Sequence, residues 1–154
     1  MVKDALAFHN AYGGYILFGV SDKGNARVLG CDTVLDAGEF NKTLAGYTGC
    51  NIECLFRKLN VPGTSKEVGL LLVPRRATGA PPVKFRKKGP EKATGRPAFL
   101  AEIYVRVRDE CRPATNTHDD WLFLHSDRSA PETFDGDRRP AVATYMPARD
   151  PELS

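Results

Sequence analysis

Cysteine and histidine, the side chains that most often bind metals or act as nucleophiles and bases, are few and irregularly spaced in this chain. Cys50 and Cys54 are close enough to reach one metal ion, but no second close pair of ligands accompanies them, and zinc sites usually have paired spacings. His118 and His125 form no metal-ligand pattern, and no nucleophile lies at a suggestive spacing from His9. The sequence therefore predicts reduced thiols and no metal site.

Asp22 has an ordinary structural explanation. It follows an apolar run and lies among turn-forming residues, where aspartate is common for structural reasons alone. Metal-assisted cleavage of a phosphodiester requires several carboxylates that converge on one or two cations, and a single aspartate does not provide them. A turn role is favoured over a metal role, and we expect no cofactor in this chain, with Mg²⁺ or Mn²⁺ needed only if the protein is a nuclease.

Basic residues are concentrated in the middle of the chain. Residues 75–112 contain eleven basic and four acidic residues, a net charge of +7, whereas residues 1–74 are neutral and residues 113–154 have a net charge of −4. Such a segment is a candidate surface for a polyanion, and the alternative is an ordinary solvated surface. The candidate nucleic-acid-binding residues are Arg75, Arg76, Lys84, Arg86, Lys87, Lys88, Tyr104, Arg106 and Arg108.

The periodicity of the apolar residues predicts the elements that position these side chains. Apolar residues about one helical turn apart predict helices at residues 4–12 and 36–47, the first stopped by two glycines and the second capped by Asp36. Compact or alternating apolar runs predict strands at residues 15–20, 27–29, 52–59, 67–74 and 101–108, the first two forming a β-hairpin. The predicted fold class is α/β (α+β), a small mixed sheet with two or more flanking helices, followed by an irregular tail.

The strand at residues 101–108 is expected to have one apolar face and one cationic face. Strand side chains alternate, so Ile103, Val105 and Val107 lie on one side and Tyr104, Arg106 and Arg108 on the other. Residues 75–97 are rich in Gly, Pro and Lys and lie between two strands, which predicts a long mobile loop beside that cationic face.

The last part of the chain has the composition of a linker. Residues 126–154 are rich in Pro, Asp, Arg and Ser with little periodicity, so we divide the chain into a domain at residues 1–118 and an acidic, Pro-rich tail at residues 119–154. Residues 147–153 resemble a segment that introduces a nucleotide-hydrolysing module in some multidomain proteins. No apolar run is long enough for a membrane span and no signal peptide is evident, which predicts a cytoplasmic protein.

One continuous run of motif residues supports a family resemblance. Residues 6–24, LAFHNAYGGYILFGVSDKG, continuing to Val28-Leu29-Gly30, resemble the signature of the Schlafen Alba-like nucleic-acid-binding domain family. Supporting similarities occur at residues 70–74, 81–82, 104–106 and 112–114, so that the resemblance covers roughly residues 4–118. The resemblance implies structural roles for the motif residues Asn10, Gly13, Gly14, Gly19 and Gly30.

Two departures from the family pattern bear on catalysis. His9 replaces a small residue, and the opening strand with a Glu-Phe-Lys segment is absent. In the endoribonucleases of the family, the resemblance implies an acidic cluster made from that opening segment together with the hairpin aspartate, and only Asp22 matches it here, beside Ser21. The resemblance therefore implies a DNA- or RNA-binding module, regulatory or part of a larger ATPase-linked protein. The alternative is a metal-dependent endoribonuclease domain that receives acidic residues from outside this chain.

The expected partners follow from these interpretations. Nucleic acid is the predicted ligand and no membrane contact is expected. A sheet edge left uncovered beside residues 15–20 favours pairing with another chain, which predicts a homo-oligomer or association with a fused ATPase module.

Overall fold

Two helices and eight strands make up the described part of this computed structural model, which comprises residues 1–21, 23, 27–114 and 124 and the backbone of residues 142–145. In chain order they are α1 (Val2–Asn10), β1 (Gly14–Phe18), β2 (Val20–Ser21), β3 (Arg27–Val28), α2 (Ala37–Thr48), β4 (Leu55–Asn60), β5 (Glu67–Val73), β6 (Tyr104–Val107), β7 (Glu110–Pro113) and β8 (Val142–Tyr145). The mixed α+β class predicted from the sequence is confirmed.

A four-stranded sheet with the order β4-β5-β1-β8 forms the centre of the fold. β5 pairs antiparallel with both β4 and β1, whereas β8 runs parallel to β1. Side chains alternate along β5, so Leu71 and Val73 are buried while Leu70 and Leu72 are half-exposed. The buried set forms one core cluster with residues of both helices, among them Phe8 and Leu44.

Each helix is followed by a glycine in the left-handed conformation. Gly49 directly follows α2, and Gly13 lies three residues after the end of α1. α2 begins after Asp36, whose side chain accepts hydrogen bonds from the backbone N–H groups of Gly38 (2.8 Å) and Glu39 (3.1 Å), which confirms the predicted cap. α1 begins at Val2, two residues earlier than predicted, and ends at Asn10. Gly13, with φ +72°, follows it, and a Cβ at that position would lie 2.8 Å from the Val73 carbonyl oxygen. Only glycine satisfies both the conformation and the close approach.

The predicted hairpin is present, but β1 ends before its turn. Gly19, with φ +83°, separates β1 from the short β2–β3 pair, and its carbonyl accepts hydrogen bonds from the backbone N–H groups of Leu29 and Gly30. A Cβ on Gly19 would lie 2.5 Å from the Gly30 carbonyl carbon. The two motif glycines therefore allow backbone to pack directly on backbone.

Residues 74–103 are irregular, which agrees with the loop predicted at residues 75–97, whereas the strand predicted at residues 101–108 begins only at Tyr104. The irregular segment is packed onto the core, which the sequence analysis did not predict. Phe85 is fully buried and Phe99 is 5% exposed, and their rings stack with centroids 4.0 Å apart. The backbone N–H of Phe85 donates to the Glu102 carbonyl, and that of Gly89 donates to the Phe99 carbonyl. Two buried aromatic side chains thus anchor a segment whose composition suggested only a loop.

The outer edge of β1 is covered by β8, which comes from the part of the chain assigned to the linker. The Cα register pairs Tyr15 with Val142 and Phe18 with Tyr145. Within the described residues the edge beside β1 is thus occupied, contrary to the prediction of an uncovered edge. Among the described residues, no helix is long and apolar enough to cross a membrane.

Candidate nucleic-acid interface

Asn10, the asparagine of the family-like motif, connects α1 to the basic part of the chain. Its buried side-chain amide donates to the carbonyls of Val83 (2.7 Å) and Tyr104 (3.0 Å) and accepts from the Val83 N–H (2.8 Å). Asparagine suits this position because its amide provides both donors and an acceptor. It therefore fixes the backbone immediately before Lys84 against β6.

Residues 84–88 form the first part of the basic surface. Lys84 makes an antiparallel bridge with Ile103, and the buried ring of Phe85 follows it. The next three side chains, Arg86, Lys87 and Lys88, are exposed, as is that of Lys84. An anchored backbone thus presents four cations to solvent.

A narrow turn at residues 89–99 adds two cations that the sequence analysis did not select. Glu91 bridges Pro97, and inside that bridge the backbone N–H of Lys92 donates to the Arg96 carbonyl at 2.9 Å. Lys92 and Arg96 flank the turn and are exposed. The Thr94-Gly95 turn signal between two basic residues was the available clue. We call the exposed side chains of Lys84, Arg86, Lys87, Lys88, Lys92 and Arg96 the cationic segment.

No carboxylate of the described residues lies within 4.0 Å of the charged group of any member of the cationic segment. Elsewhere, Lys42 pairs with Glu39 at 2.6 Å and Lys58 with Glu67 at 3.8 Å. Among the described residues, the charges of the segment are therefore not paired with carboxylates, which favours a positive potential at this surface.

Two members of the cationic segment also lie at the C-terminal end of α2. The Arg86 backbone N–H donates to the Tyr47 carbonyl (2.8 Å), and its guanidinium group contacts Gly49, the residue that ends the helix. Lys87 Nζ lies 4.8 Å from the centre of the Tyr47 ring. Cations are favourable there because the helix dipole places partial negative charge at its C-terminus.

Two predicted site residues are buried and are therefore not part of the candidate interface. Tyr104 is 4% exposed, its hydroxyl accepts a hydrogen bond from the Leu100 N–H, and its ring meets that of Phe85 edge-on, so it offers no face on which a base could stack. Arg76 is 7% exposed, and its Nη2 donates to the Leu124 carbonyl at 2.6 Å. The burial of both side chains comes from tertiary packing that the sequence pattern does not show.

The predicted cationic strand face is also absent, because that face of β6 packs against α1. The guanidinium of Arg106 lies 5.2 Å from the centre of the Phe8 ring, and it donates to the Arg108 carbonyl (3.0 Å) and to Cys111 Sγ (3.3 Å). Arg108 is exposed but has left the strand and occupies the β6–β7 turn with φ +56°. Arg75 is exposed near the end of β5.

The catalytic candidate Asp22 lies outside the described residues. Within the described ranges, no group of three or more His, Cys, Asp or Glu side chains is close enough to hold a metal ion. All four cysteines are free thiols, and burial raises the pKa of Cys54 to about 12, so this thiol stays protonated.

His9 has a structural environment rather than a reactive one. Its Nδ1 lies 2.7 Å from the Pro74 carbonyl oxygen, which suits a protonated Nδ1 that donates. Burial lowers the pKa of His9, and the positive charge of Arg76 lowers it further, although the bond to Pro74 acts in the opposite direction. The neutral imidazole is therefore the favoured form.

Taken together, the fold, the glycine-rich hairpin and the buried motif asparagine define a small α+β domain with a cationic surface. A family model described as Schlafen, AlbA_2 matches residues 1–115, the part of the chain that contains α1 to β7. Neither the curated proteins nor the solved structures contain a match. The chain belongs to the Schlafen AlbA_2 family.

Proposed function

We propose that this protein is a nucleic-acid-binding module that holds phosphates through the cationic segment. The observation that supports it most is the set of six exposed cations without a carboxylate partner among the described residues. Lysine and arginine that contact phosphates release condensed counterions, and this supplies much of the affinity of proteins for nucleic acids.

The anchoring of the segment favours binding over a purely solvated surface. Asn10 and the buried rings of Phe85 and Phe99 fix the backbone on both sides of the basic residues. Cations on a fixed backbone lose less conformational entropy when they bind than cations on an unanchored loop.

The proposed contacts are to phosphates rather than to bases. Phosphate contacts position a protein on nucleic acid but carry no direct sequence information. Since Tyr104, the one aromatic residue predicted for the interface, is buried, the proposal includes no base stacking. We expect binding to be similar for unrelated sequences.

Fluorescence anisotropy over a range of salt concentrations tests the proposal. The double variant Lys88→Ala/Lys92→Ala removes two exposed cations of the segment. For a duplex, the log-log salt dependence should flatten by about 0.9 for each lost phosphate contact, and by about 0.7 for a single strand.

The matched control is Lys42→Ala/Lys66→Ala, which changes the net charge equally. Both lysines are exposed, but Lys42 pairs with Glu39 and Lys66 Nζ donates to the Val28 carbonyl. The control should keep the wild-type slope. Equal slopes for both double variants and wild type would reject the cationic segment as the binding surface.

A further inference from the structure

The pairing of β8 with β1 has a feature that distinguishes it from the other pairings of the main sheet. β8 runs parallel to its neighbour, whereas β4, β5 and β1 form antiparallel pairs. β8 is also distant in the chain from the strand that precedes it, because residues 114–141 separate it from β7.

A second contact ties the same part of the chain to the domain. The buried Arg76 side chain donates to the Leu124 carbonyl at 2.6 Å, and the Arg76 backbone N–H donates to the His9 carbonyl. Arg76 follows Val73, which lies opposite Gly14, and β8 begins opposite Tyr15. Both attachment points are therefore at the same end of the sheet.

We propose that the outer edge of β1 is a strand-acceptor site whose partner is Val142–Tyr145 of a second copy of this chain. The resulting dimer exchanges β8 between two copies and is in equilibrium with the self-paired form. This inference is independent of the proposed nucleic-acid binding.

The geometry makes such an exchange inexpensive. The ladder between β1 and β8 is the same whether the strand comes from the same copy or another, so the exchanged form loses none of its backbone hydrogen bonds. Residues 125–141, which lie between the Leu124 contact and β8, span on the order of 55 Å when extended. That is several times the radius of gyration of about 13 Å expected for a domain of roughly 100 residues. The connection is therefore long enough to reach a neighbouring molecule.

The site also has a reason to be filled by a strand. Without β8 the backbone groups on the outer side of Tyr15, Ile16, Leu17 and Phe18 would lose their partners, and an unpaired edge favours pairing with any available strand. β8 supplies four paired positions, one for each of these residues. The segment with the matching register is thus present in every copy of the chain.

Disulfide trapping in the full-length chain tests the exchange. In a background of Cys31→Ser, Cys50→Ser and Cys111→Ser, one preparation carries Leu17→Cys and another, distinguishable in size by a tag, carries Thr144→Cys. These two positions are Cα partners, and neighbouring strands place Cα atoms within disulfide range. After mixing and mild oxidation, we expect a disulfide between the two preparations, with a yield that falls about tenfold on tenfold dilution where monomer predominates.

Three controls make every outcome informative. A chain with both Leu17→Cys and Thr144→Cys should form an intramolecular disulfide at high dilution, and its absence would overturn the pairing on which the proposal rests. Leu17→Cys mixed with Thr64→Cys, an exposed residue beyond β4, should give no specific product. Adding Val142→Pro/Ala143→Pro to the chain that carries Thr144→Cys should abolish the disulfide, since two adjacent prolines remove at least one ladder donor. An intramolecular disulfide without any bond between the two preparations would refute exchange.

Discussion

Arg106 illustrates how far the role of a basic residue depends on its packing. Its guanidinium faces the Phe8 ring and donates to the Arg108 carbonyl and to Cys111 Sγ. We expect Arg106→Ala to lower the free energy of unfolding by about 1–3 kcal/mol, since a cation–π contact contributes about 0.5–1 kcal/mol and a hydrogen bond from a charged donor about 1.5–3 kcal/mol. Urea denaturation measures this loss.

The same variant separates a structural from a binding role. Arg106→Ala should leave the salt dependence of nucleic-acid binding at its wild-type slope when both proteins are fully folded. Arg108→Ala, at an exposed turn position, is the comparison and should change stability by less than about 0.5 kcal/mol. A flattened salt dependence for Arg106→Ala would show instead that Arg106 contacts the nucleic acid.

His9 should make the stability of the protein depend on pH. Because its pKa is lowered by burial and by Arg76, the folded protein binds the proton less tightly than the unfolded chain, whose histidine titrates near the ordinary value of 6.5. The contribution is fully present above pH 6.5 and is lost as the pH falls through the folded-state pKa. Thermal or urea unfolding between pH 5 and 7.5 should show a shallower pH dependence for His9→Gln than for wild type. Parallel curves for the two proteins would contradict this assignment.

At the residue scale the sequence could locate the basic surface but could not choose its members. The excess of positive charge in residues 75–112 was visible, and Lys84, Arg86, Lys87 and Lys88 are exposed as an interface requires. Arg76 is buried by a contact to Leu124, 48 positions away in the chain. The sequence does not distinguish a buried arginine from an exposed one, because tertiary packing decides between the two.

At the scale of elements, α1 positions the cationic segment through one side chain. Asn10 makes three hydrogen bonds to Val83 and Tyr104, and Asn10→Ala would leave buried backbone groups without those partners. Each such group costs about 1–3 kcal/mol, so we expect a loss of the order of 3–5 kcal/mol in unfolding free energy. Binding measured under conditions where the variant is folded should also weaken, because the backbone before Lys84 is no longer held.

An exposed asparagine provides the control for that experiment. Asn51 lies after α2, and its amide donates to the exposed Glu53 carboxylate. Asn51→Ala should change stability by no more than about 0.5 kcal/mol and leave binding unchanged. If Asn10→Ala behaved like this control, the proposed connection between α1 and the cationic segment would be wrong.

The elements themselves were predictable where the periodicity was regular. Both helices and the strands β4 and β5 follow apolar patterns with the expected period, and the Asp36 cap was correctly placed. β8 was missed because residues 126–154 have the composition of a linker and the strand pairs with β1 more than 120 positions away. The packing of residues 74–103 was missed because Phe85 and Phe99 are isolated aromatic residues in a segment without a period.

At the scale of the whole molecule, the outer strands of the main sheet are β4 and β8, and β1 is an inner strand that pairs with β5 and β8. On the exposed face of β4, Arg57 lies between Leu55 and Leu59, which are 53% and 43% exposed. A charged side chain in such a strand opposes edge-to-edge aggregation. Pairing with another chain is thus opposed at β4, whereas β1 is already paired on both sides.

The last prediction concerns catalysis by the whole chain. Hydrolysis of a phosphodiester with metal ions requires several convergent carboxylates, and the described residues bring no three potential ligands together. With Asp22 as the one carboxylate that matches the family pattern, we expect no cleavage of tRNA or single-stranded DNA in Mg²⁺ or Mn²⁺ above that seen with Asp22→Ala. Gel electrophoresis of labelled substrates, with anisotropy run in parallel, separates the two activities, since binding should persist in both proteins. Metal-dependent cleavage that disappears in Asp22→Ala would instead identify the chain as a nuclease whose remaining ligands lie outside the described residues.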